Sequence, residues 1–595
     1  MRITNQMMTN SMLSHINQNK VNMSTLENQY STGKKILKPS DDPIVAVRAL
    51  KLRSNLTELS QYLEKNIPDA ESWMDVSESA LNNVNSILTQ MNKYCVQGSS
   101  DTLTADDRTN ILQNLIQLKE QIYQEGNSQY AGRYVFTGFK TDTPLIYTSD
   151  TIYQKETSII TNSTNVTHND NNDADASNDT YVIDLSALAQ NMDSISGIKF
   201  NSSDVSQIIT MTSAVFNQTT VEADKVYYLE DTKQLVLGSN FSDVATSTQI
   251  SITGQEFQGY HITENFTGDD LDLYKTVKIP ESETESAQTV QANRLQLSYD
   301  NINSKTVTDK DGNEVLTSSV KDLSYTVSGV ENKIVVTKTM NSTNNSAYQP
   351  GDDEVYFLAD TGELILGSNV AEKLKDATSI EVNYDKSSFA ANELKPEHFF
   401  ECSFVGADGK KIDYEQSDQN ITYEVNFKQN LKVNTEAKDA ITHDIDRLVD
   451  DITTAVNNVT VIEKKISTIK ERLTNTSLST SERTKLEVEL EQQNTALSLS
   501  KSVMQETFAG AITATQSFED TVNVAIADLG SRSKRLELTK SRLEDQQVEL
   551  EDLKSKNEDV DLVEIVIRYK SAEAIYTSSL SAAASVIKTN LLNFL

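Results

Sequence analysis

Residues that break helices are scarce in this 595-residue chain and unevenly placed. The last of seven prolines is Pro396, and beyond Gly409 glycine returns only at Gly510 and Gly530. The C-terminal third is therefore expected to be helical almost throughout. Cysteine is nearly absent: Cys95 and Cys402 cannot make a disulfide framework and lack metal-ligand spacing. Cys95 continues the apolar stripe of a predicted helix and reads as a buried thiol. The histidines, His15, His168, His261, His398 and His443, are scattered, none three or four residues from another, so no zinc motif can be built locally. No Walker loop, dinucleotide fingerprint or GxSxG elbow is present. No catalytic, cofactor-binding or metal-ligating residue is assigned, and the chain is read as not an enzyme, which leaves only a site assembled from distant residues. Asp309 to Glu314 begins like a calcium loop, but its sixth position is Glu314 and its twelfth Val320, so a hairpin turn is expected. Positive charge is also short. With 53 Lys and Arg against 87 Asp and Glu, the net charge of −34 disfavours nucleic acid and acidic membrane as partners. No apolar run is long enough to span a bilayer, and Met1 to Tyr30 lacks the pattern of a cleaved secretory signal, so export is expected to use another route.

What is present begins at the two ends. From Asp561 to Leu595 the residues Tyr569, Ala572, Tyr576, Leu580, Ala583, Ile587, Leu591 and Phe594 follow at steps of three and four, one face of a helix. The comparable partner stripe is at the other end, Met8, Met12, Ile16, Met23, Leu26 and Tyr30. These residues, apart from Ala572 and Ala583, are the expected subunit-interface set. Each helix alone is marginal, so both ends are expected to order only on assembly and to be lost to brief proteolysis up to Ser31–Ile44 and from Asn557–Tyr569.

Between the ends, Asp42 and Pro43 read as a cap and first helical residue, and Asp41 as a second carboxylate at a positive helix end. A helix with Leu52, Leu56, Leu59 and Leu63 on one face continues to Cys95, with Pro68 expected to kink it. Gly98 ends it, and Thr104 starts the next. From Asp142 to Lys428 the texture is β. Thr161 to Asp179 is expected to be a mobile loop. VYYLEDTKQLVLGSN at Val226–Asn240 returns as VYFLADTGELILGSN at Val355–Asn369, a duplicated module. After Val433 a seam from Ile441 to Leu473 alternates steps of four and three, and Ser479 with Glu482 caps a long helix whose stripe runs through Leu490, Leu497, Met504, Ala511, Phe518 and Ala525, giving an α-hairpin. The fold class is α+β: a coiled-coil-like helical bundle from both ends with a central β-rich insert. The expected divisions are 1–43 (assembly helix and turn), 44–140 (helical core), 141–297 and 298–430 (first and second β modules), 431–560 (helical core with hairpin) and 561–595 (assembly helix). The insert is expected to be dispensable for assembly.

Four stretches, MRITNQMMTNSML, STGKKILKPSDDPIVAVRALKLRS, YAGRYVFTGFKTDTPL and the closing helix through LLNFL, resemble the hook-filament junction proteins of the bacterial flagellum, the third hook-associated proteins of the flagellin superfamily. The signature positions are Ser40, Asp41, Asp42, Pro43, Gly132, Arg133 and Tyr134. The resemblance implies a structural, extracellular subunit exported without a cleaved signal and served by an export chaperone. Its implied partners are its own copies, the first hook-associated protein and flagellin, and it implies no cofactor. Flagellin itself and a secreted coiled-coil adhesin are the alternatives.

Overall fold

The computed structural model describes residues 5–100, 103–170, 179–187, 192–213, 216, 221–279, 288–308, 313–344, 346–475 and 479–592. The architecture is α+β, with helices at both ends and strands between. The helices are α1 (Asn5–Thr32), α2 (Pro43–Gln61), α3 (Ile67–Gly98), α4 (Ala105–Glu125), the short α5 (Ser368–Leu374), α6 (Asp444–Leu473), α7 (Thr480–Glu558) and α8 (Leu562–Leu592). The chain forms two compact units. One comprises Val76–Asn420 and Asn434–Asp528, the other Met1–Asp75, Ile421–Val433 and Leu529–Leu595. The expected divisions at 43/44 and 560/561 do not coincide with them, because Asn557 Nδ2 donates to Val45 O (3.1 Å) and Lys540 to Glu71 (2.9 Å), tying α2 and the start of α3 to the end of α7.

In the larger unit, Leu81, Val84, Leu88, Met91 and Cys95 of α3 are buried, as are Leu115 and Ile122 of α4, one residue or more on each turn of α6 from Ile445 to Ile469, and Met504, Phe508 and Ala511 of α7. Thr104 and Asp107 cap α4 reciprocally, and Ser479 with Glu482 does the same for α7. Asn92 Nδ2 donates to Ile512 O (3.0 Å) and Thr515 Oγ1 (2.8 Å). Ile462 and Ile466 of α6 meet Ala496, Leu490 and Leu497 of α7, with Lys501 and Glu463 paired at 2.9 Å, as the short link between the helices requires. The seam of α7 departs from the expected stripe in one respect. Gln493, Ser500 and Thr515 are buried in it, and Phe508 rather than Phe518 fills the core.

The strands open with a two-residue hairpin, β1 (Gln129–Tyr130) and β2 (Arg133–Tyr134), whose central residues Ala131 (φ 49°) and Gly132 (φ 77°) are both left-handed. After β3 (Thr151–Ile152) come β4 (Gln154–Thr161), β5 (Val166–Asn169), β6 (Thr180–Asp184), β7 (Met192–Phe200), β8 (Ser203–Val205), β9 (Ile208–Met211), β10 (Val226–Leu229), β11 (Gln234–Leu237) and β12 (Ile250–Phe257). They make two sheets, β5-β6-β11-β10-β9 and β4-β12-β7-β8, which enclose Ile183, Ile198, Tyr228, Leu235, Ile250 and Ile252. The same order returns in β13 (Gly259–Phe266), β14 (Asp272–Ile279), β15 (Gln288–Gln296), β16 (Ser304–Thr308), β17 (Glu314–Ser318), β18 (Asp322–Val327), β19 (Val330–Val335), β20 (Lys338–Met340), β21 (Val355–Leu358), β22 (Glu363–Leu366) and β23 (Ser379–Lys386). The sheet β14-β15-β22-β21-β20 matches the first, and β19-β18-β23-β13 matches the second and is extended by β25 (Glu401–Val405) and β26 (Lys411–Tyr414), while β24 (Ser388–Phe389) pairs β3. The hairpin β16–β17 is the insertion that distinguishes the second sandwich.

Equivalence extends past the repeated fifteen residues. Ser213 N donates to Asp231 (2.7 Å) as Ser342 N does to Asp360 (2.9 Å), and Gly238 N bonds Lys225 O as Gly367 N bonds Glu354 O. Strand pairing also moves the module boundary. Gly259–Phe266 pairs with Ser379–Lys386, so the second module starts at Gly259 and not at 298. Thr161 to Asp179 is not one loop either: Val166–Asn169 pairs with Thr180–Ile183, and 171–178 lie outside the described residues. Of the calcium-like turn, Asp309–Gly312 likewise lies outside them, flanked by the antiparallel pair Thr308 and Glu314.

The smaller unit holds α1, α2, α8, the last turns of α7 and the hairpin β27 (Thr422–Asn426) with β28 (Gln429–Lys432). The disturbance expected at Pro68 takes the form of a π-helical turn, Tyr62–Asn66, in which the Ile67 N–H reaches back to Tyr62 O. A wider turn just before proline removes the clash its ring would make with the carbonyl four residues earlier. Asn66 Nδ2 then donates to Glu424 O (2.7 Å), seating the hairpin against this turn.

Candidate assembly interface

The two ends of the chain meet. Tyr30 of α1 stacks on Tyr569 of α8, with centroids 6.2 Å apart and planes at 11°, and Asn19 Nδ2 donates to Ser579 Oγ at 3.0 Å. As position falls along α1 it rises along α8, so the helices are antiparallel. The same register sets Ile16 opposite Ala583, both buried, and Met23 opposite Tyr576, both half-buried. Met12, Leu26, Tyr569 and Ala572 are half-buried on the same facing stripes, whereas Met8 (46%), Tyr30 (49%) and Leu580 (43%) keep much of their surface in solvent. Ile587 and Leu591 fall within α8, and Phe594 lies outside the described residues.

The stripes chosen from sequence therefore face each other within one chain. What they leave exposed is a second apolar set that periodicity did not single out: Met7, Leu13 and Val21 on α1, and Leu562, Val563, Ile567 and Ile575 on α8. On α2 the same holds for Ile44, Val47 and Leu50, opposite the buried Ala46, Ala49, Leu56 and Leu59. Helices apolar on both faces need a second covering surface. The signal in the sequence was the excess of apolar residues over one stripe's requirement.

The pair is fastened at its base by a clasp that sequence reasoning missed. Where α1 stops at Gly33 (φ 69°) and α7 stops at Glu558, the backbones cross-bond: Lys35 N donates to Glu558 O (2.7 Å) and Val560 N to Gly33 O (3.0 Å). The Glu558 side chain, 2% exposed, accepts from Arg53 Nε (2.8 Å) and Nη2 (2.6 Å), and Lys34 pairs with Asp559. The hydrogen bond from Arg53 holds the Glu558 carboxyl below its usual range, and that from Lys34 does the same for Asp559. Asp561 caps α8 through Val563 N (2.8 Å) and Glu564 N (3.2 Å). The only sequence signal was opposite charge, Lys34-Lys35 against Glu558-Asp559, at two helix ends.

The signature residues shape the neighbouring turn. Asp42 Oδ1 accepts from Ile44 N (2.9 Å) and Val45 N (3.1 Å), with Pro43 as first helical residue. Asp41 accepts from Lys38 N (2.9 Å) and Leu37 N (3.0 Å), and these backbone donors lower its pKa. Ser40 is exposed in the turn between them. Gly132, Arg133 and Tyr134 stand apart from these, in the larger unit, where they form the β1–β2 turn. There Phe136 O accepts from Ala437 N (2.9 Å), so the segments entering and leaving the strand-rich region meet. Among the described residues no group of three His, Cys, Asp or Glu is placed to hold a metal ion, and no helix is long and apolar enough to cross a membrane.

Comparison with known proteins falls on the same two ends. The bacterial flagellin N-terminal helical region matches residues 3–141, and the bacterial flagellin C-terminal helical region matches residues 512–595. The chain is 34% identical over 144 residues to flagellar hook-associated protein 3 of Salmonella typhimurium, a match covering 24% of this chain and 45% of that protein. It is 33% identical over 128 residues to flagellin of Clostridium tyrobutyricum, covering 22% and 34%. The matches thus span less than half the length of these relatives. Among solved structures, Xanthomonas campestris FlgL is similar at 11% identity and a TM-score of 0.26, covering 86% of this chain and 99% of that one. The flagellar junction protein FlgL from Legionella pneumophila is similar at 10% and 0.25, covering 87% and 100%. Superposition at that level adds nothing to the sequence matches. This α+β chain is flagellin-like, with a flagellin-type helical region at each end.

Proposed function

We propose that the chain is a structural subunit of the bacterial flagellum, placed at the junction between hook and filament, with α1 and α8 as its polymer contact. The observation that carries this reading is the antiparallel α1–α8 pair with its uncovered outer face, Met7, Leu13, Val21, Val563, Ile567 and Ile575. A pair of helices that buries one stripe and exposes another is half of an interface, and copies of the chain supply the rest. The 34% identity over 144 residues to a flagellar hook-associated protein 3 supports the junction as the site. On this reading the partners are further copies, the first hook-associated protein and flagellin, with an export chaperone before assembly. The protein acts mechanically, outside the cell, without a cofactor. Of the expected interface set, Met8, Tyr30 and Leu580 keep exposed surface and join that outer face, while Ile16 and the half-buried Met12, Met23, Leu26, Tyr569 and Tyr576 pair within the chain and position it.

Similarity to a flagellin favours a second reading as filament subunit. Electron microscopy with antibody to the β-rich region separates the two. One labelled band at the filament base is the expected result; label along the whole filament makes the protein a flagellin, and no label on flagella sinks both readings.

A further inference from the structure

Charge on α7 is zoned within the smaller unit. Arg532 to Arg542, RSKRLELTKSR, carries five basic residues and one acid, in a chain whose net charge is −34. The next turns, Glu544 to Asp552, EDQQVELED, carry five acids and no base. The zones share one helical stripe. Ser531, Lys534, Arg535, Leu538 and Arg542 line a cleft of about 630 Å³ together with Thr539 and Gln429 of β28. Continuing at steps of three and four, the same stripe carries Asp545, Glu549 and Asp552. All eight of these stripe residues are exposed.

Neutralisation within the chain is incomplete. Lys534 pairs with Glu537 (2.7 Å) and Lys556 with Asp552 (2.6 Å), each pair mostly in solvent. Arg542 reaches only Gln429 (3.4 Å), and Arg535, Asp545 and Glu549 have no ion-pair partner among the described residues. Each zone also exposes apolar surface: Leu538 (63%) in the basic one and Val548 (69%) in the acidic one, with Leu553 (44%) just beyond it. A stripe with unmatched cations at one end and unmatched anions at the other is complementary to itself.

We propose that this stripe of α7 docks on the same stripe of a second copy, the basic zone of one chain against the acidic zone of the other. The zone centres lie about eleven residues apart, so neighbouring copies are displaced along the helix by ~16 Å. Leu538 of one copy then lies near Val548 of the next. This rests on the reading of the chain as a polymer subunit and adds a contact that the terminal pair does not make. Exposed pairs are individually weak, so the contact sets register and partner choice and weakens with salt.

Two charge-reversed chains test it. One carries Lys534→Glu, Arg535→Glu and Arg542→Glu; the other carries Asp545→Lys and Glu549→Lys. Each alone is expected to lose at least tenfold in copy-to-copy association with unchanged melting, and an equal mixture to recover most of it. Full association by either single chain, or failure of the mixture to recover, overturns the proposal. A second measurement does not depend on those variants. Full-length Leu538→Cys and Val548→Cys chains are mixed and oxidised. On one helix the two positions are ~15 Å apart, beyond disulfide reach, and Cys95 and Cys402 are buried, so a mixed dimer reports contact between chains. Mixed dimers exceeding either self-dimer are expected; equal yields of all three overturn the register. Because the readout is linkage between copies, its failure leaves the position on the flagellum to the labelling experiment.

Discussion

Arg53 holds Glu558 with two nitrogens, Nε at 2.8 Å and Nη2 at 2.6 Å, across 505 positions of sequence. The Glu558 side chain is almost fully enclosed while that of Arg53 is 57% exposed, so the arginine keeps contact with water and the glutamate depends on the arginine. That asymmetry makes the pair a fastener for the chain ends, because Glu558 also lends its backbone carbonyl to Lys35.

Glu558→Ala is expected to lower the stability of the smaller unit by about 2 kcal/mol, the range for a charge-assisted hydrogen bond and its backbone dependants. Since Arg53 depresses the Glu558 pKa in the folded chain, the contribution is present above the unfolded carboxyl pKa and lost as pH falls through the folded one. Urea melts of parent and variant should therefore differ at pH 7 and converge as acid protonates Glu558 in the folded chain. A difference that persists in acid would assign the loss to packing.

Gly98→Ala tests the contact between α3 and α7. A Cβ there would stand well inside contact distance of the Phe508 ring, which is fully buried. The helix-propensity gain of about 1 kcal/mol is outweighed by overpacking of about 1 to 3 kcal/mol. A lower melting temperature is expected, restored in part by adding Phe508→Leu, which vacates the space.

How far the sequence could be read follows from the range of each signal. The facing stripes of α1 and α8 were legible because helix period is local, and Tyr30 and Tyr569 each sit on a visible face. The repeated hairpins were legible as repeated strings. The module boundary was not, because what assigns Gly259–Phe266 to the second sandwich is pairing with Ser379–Lys386, and a strand carries no mark of its distant partner. Thr161–Asn169 looked too polar to order, yet Val166 pairs with Ile183, whose burial supplies what the strand itself lacks. In α7 the true seam was hidden where Gln493, Ser500 and Thr515 occupy buried positions. Of the candidate interface, the inner face could be read and the outer face and clasp could not.

Arg294 of β15 is buried and bonds Asp272 (2.8 Å), Glu363 and Asp451 of α6 (2.8 Å), while Lys275 Nζ also reaches Asp451 (2.7 Å). Burial pushes the Asp451 carboxyl up, but Arg294 and Lys275 hold it well below the usual range. In the first sandwich Val182 takes the place of Arg294 by register against the repeated hairpin, so only the second is tied to α6 by this network. The expectation that the whole insert is dispensable narrows to the first sandwich. Arg294→Met should cost about 3 to 5 kcal/mol at pH 7, because the buried Glu363 loses its ion pair and Asp451 keeps only Lys275. The pH response should flatten. In the parent, Asp451 stabilises above the unfolded carboxyl pKa and that contribution is lost as pH falls through the folded one, whereas in the variant, with the guanidinium gone, less of it is left to lose. Melts from pH 7 down through the carboxyl range decide: a difference between parent and variant that stays constant in acid would refute the assignment.

Glu264 carries the opposite sign from Asp451. Burial raises its pKa to about 7 against the lowering effect of hydrogen bonds from Tyr384 OH and Ser298 N (3.2 Å). The folded chain binds the proton more tightly than the unfolded one, so stability is greatest below about pH 4.5 and declines toward pH 7, by up to about 3 kcal/mol. Glu264→Gln keeps the acceptor and removes the titration, and its stability curve should be flatter over that interval.

The last expectation concerns the ends. Among the described residues of α1 and α8 only Ile16, Ile565 and Ala583 are buried, and each fully buried aliphatic contributes about 1.5 to 3 kcal/mol. Ordering the backbone of either helix costs about 1 to 2 kcal/mol per residue, so neither is stable without the other, and the pair is held chiefly by its own helical bonds and the clasp below it. Opening should therefore be cooperative across both helices and should stop at the clasp. Removing Leu562 to Leu595 is predicted to unfold α1 as well, with loss of ellipticity greater than one helix accounts for, while the melting of the remainder is unchanged. In the intact monomer, brief proteolysis should cut within α1 and α8 before it cuts α2 or α7, leaving a fragment that begins between Ser31 and Ile44 and ends between Asn557 and Tyr569. On the proposed function, neighbouring copies cover the exposed Met7, Leu13, Val21, Val563 and Ile567, so incorporation into flagella should protect both helices together. An α1 that stays helical after the truncation, or ends that resist protease in a verified monomer, would show that the pair is stable without its neighbours and that assembly does not order it.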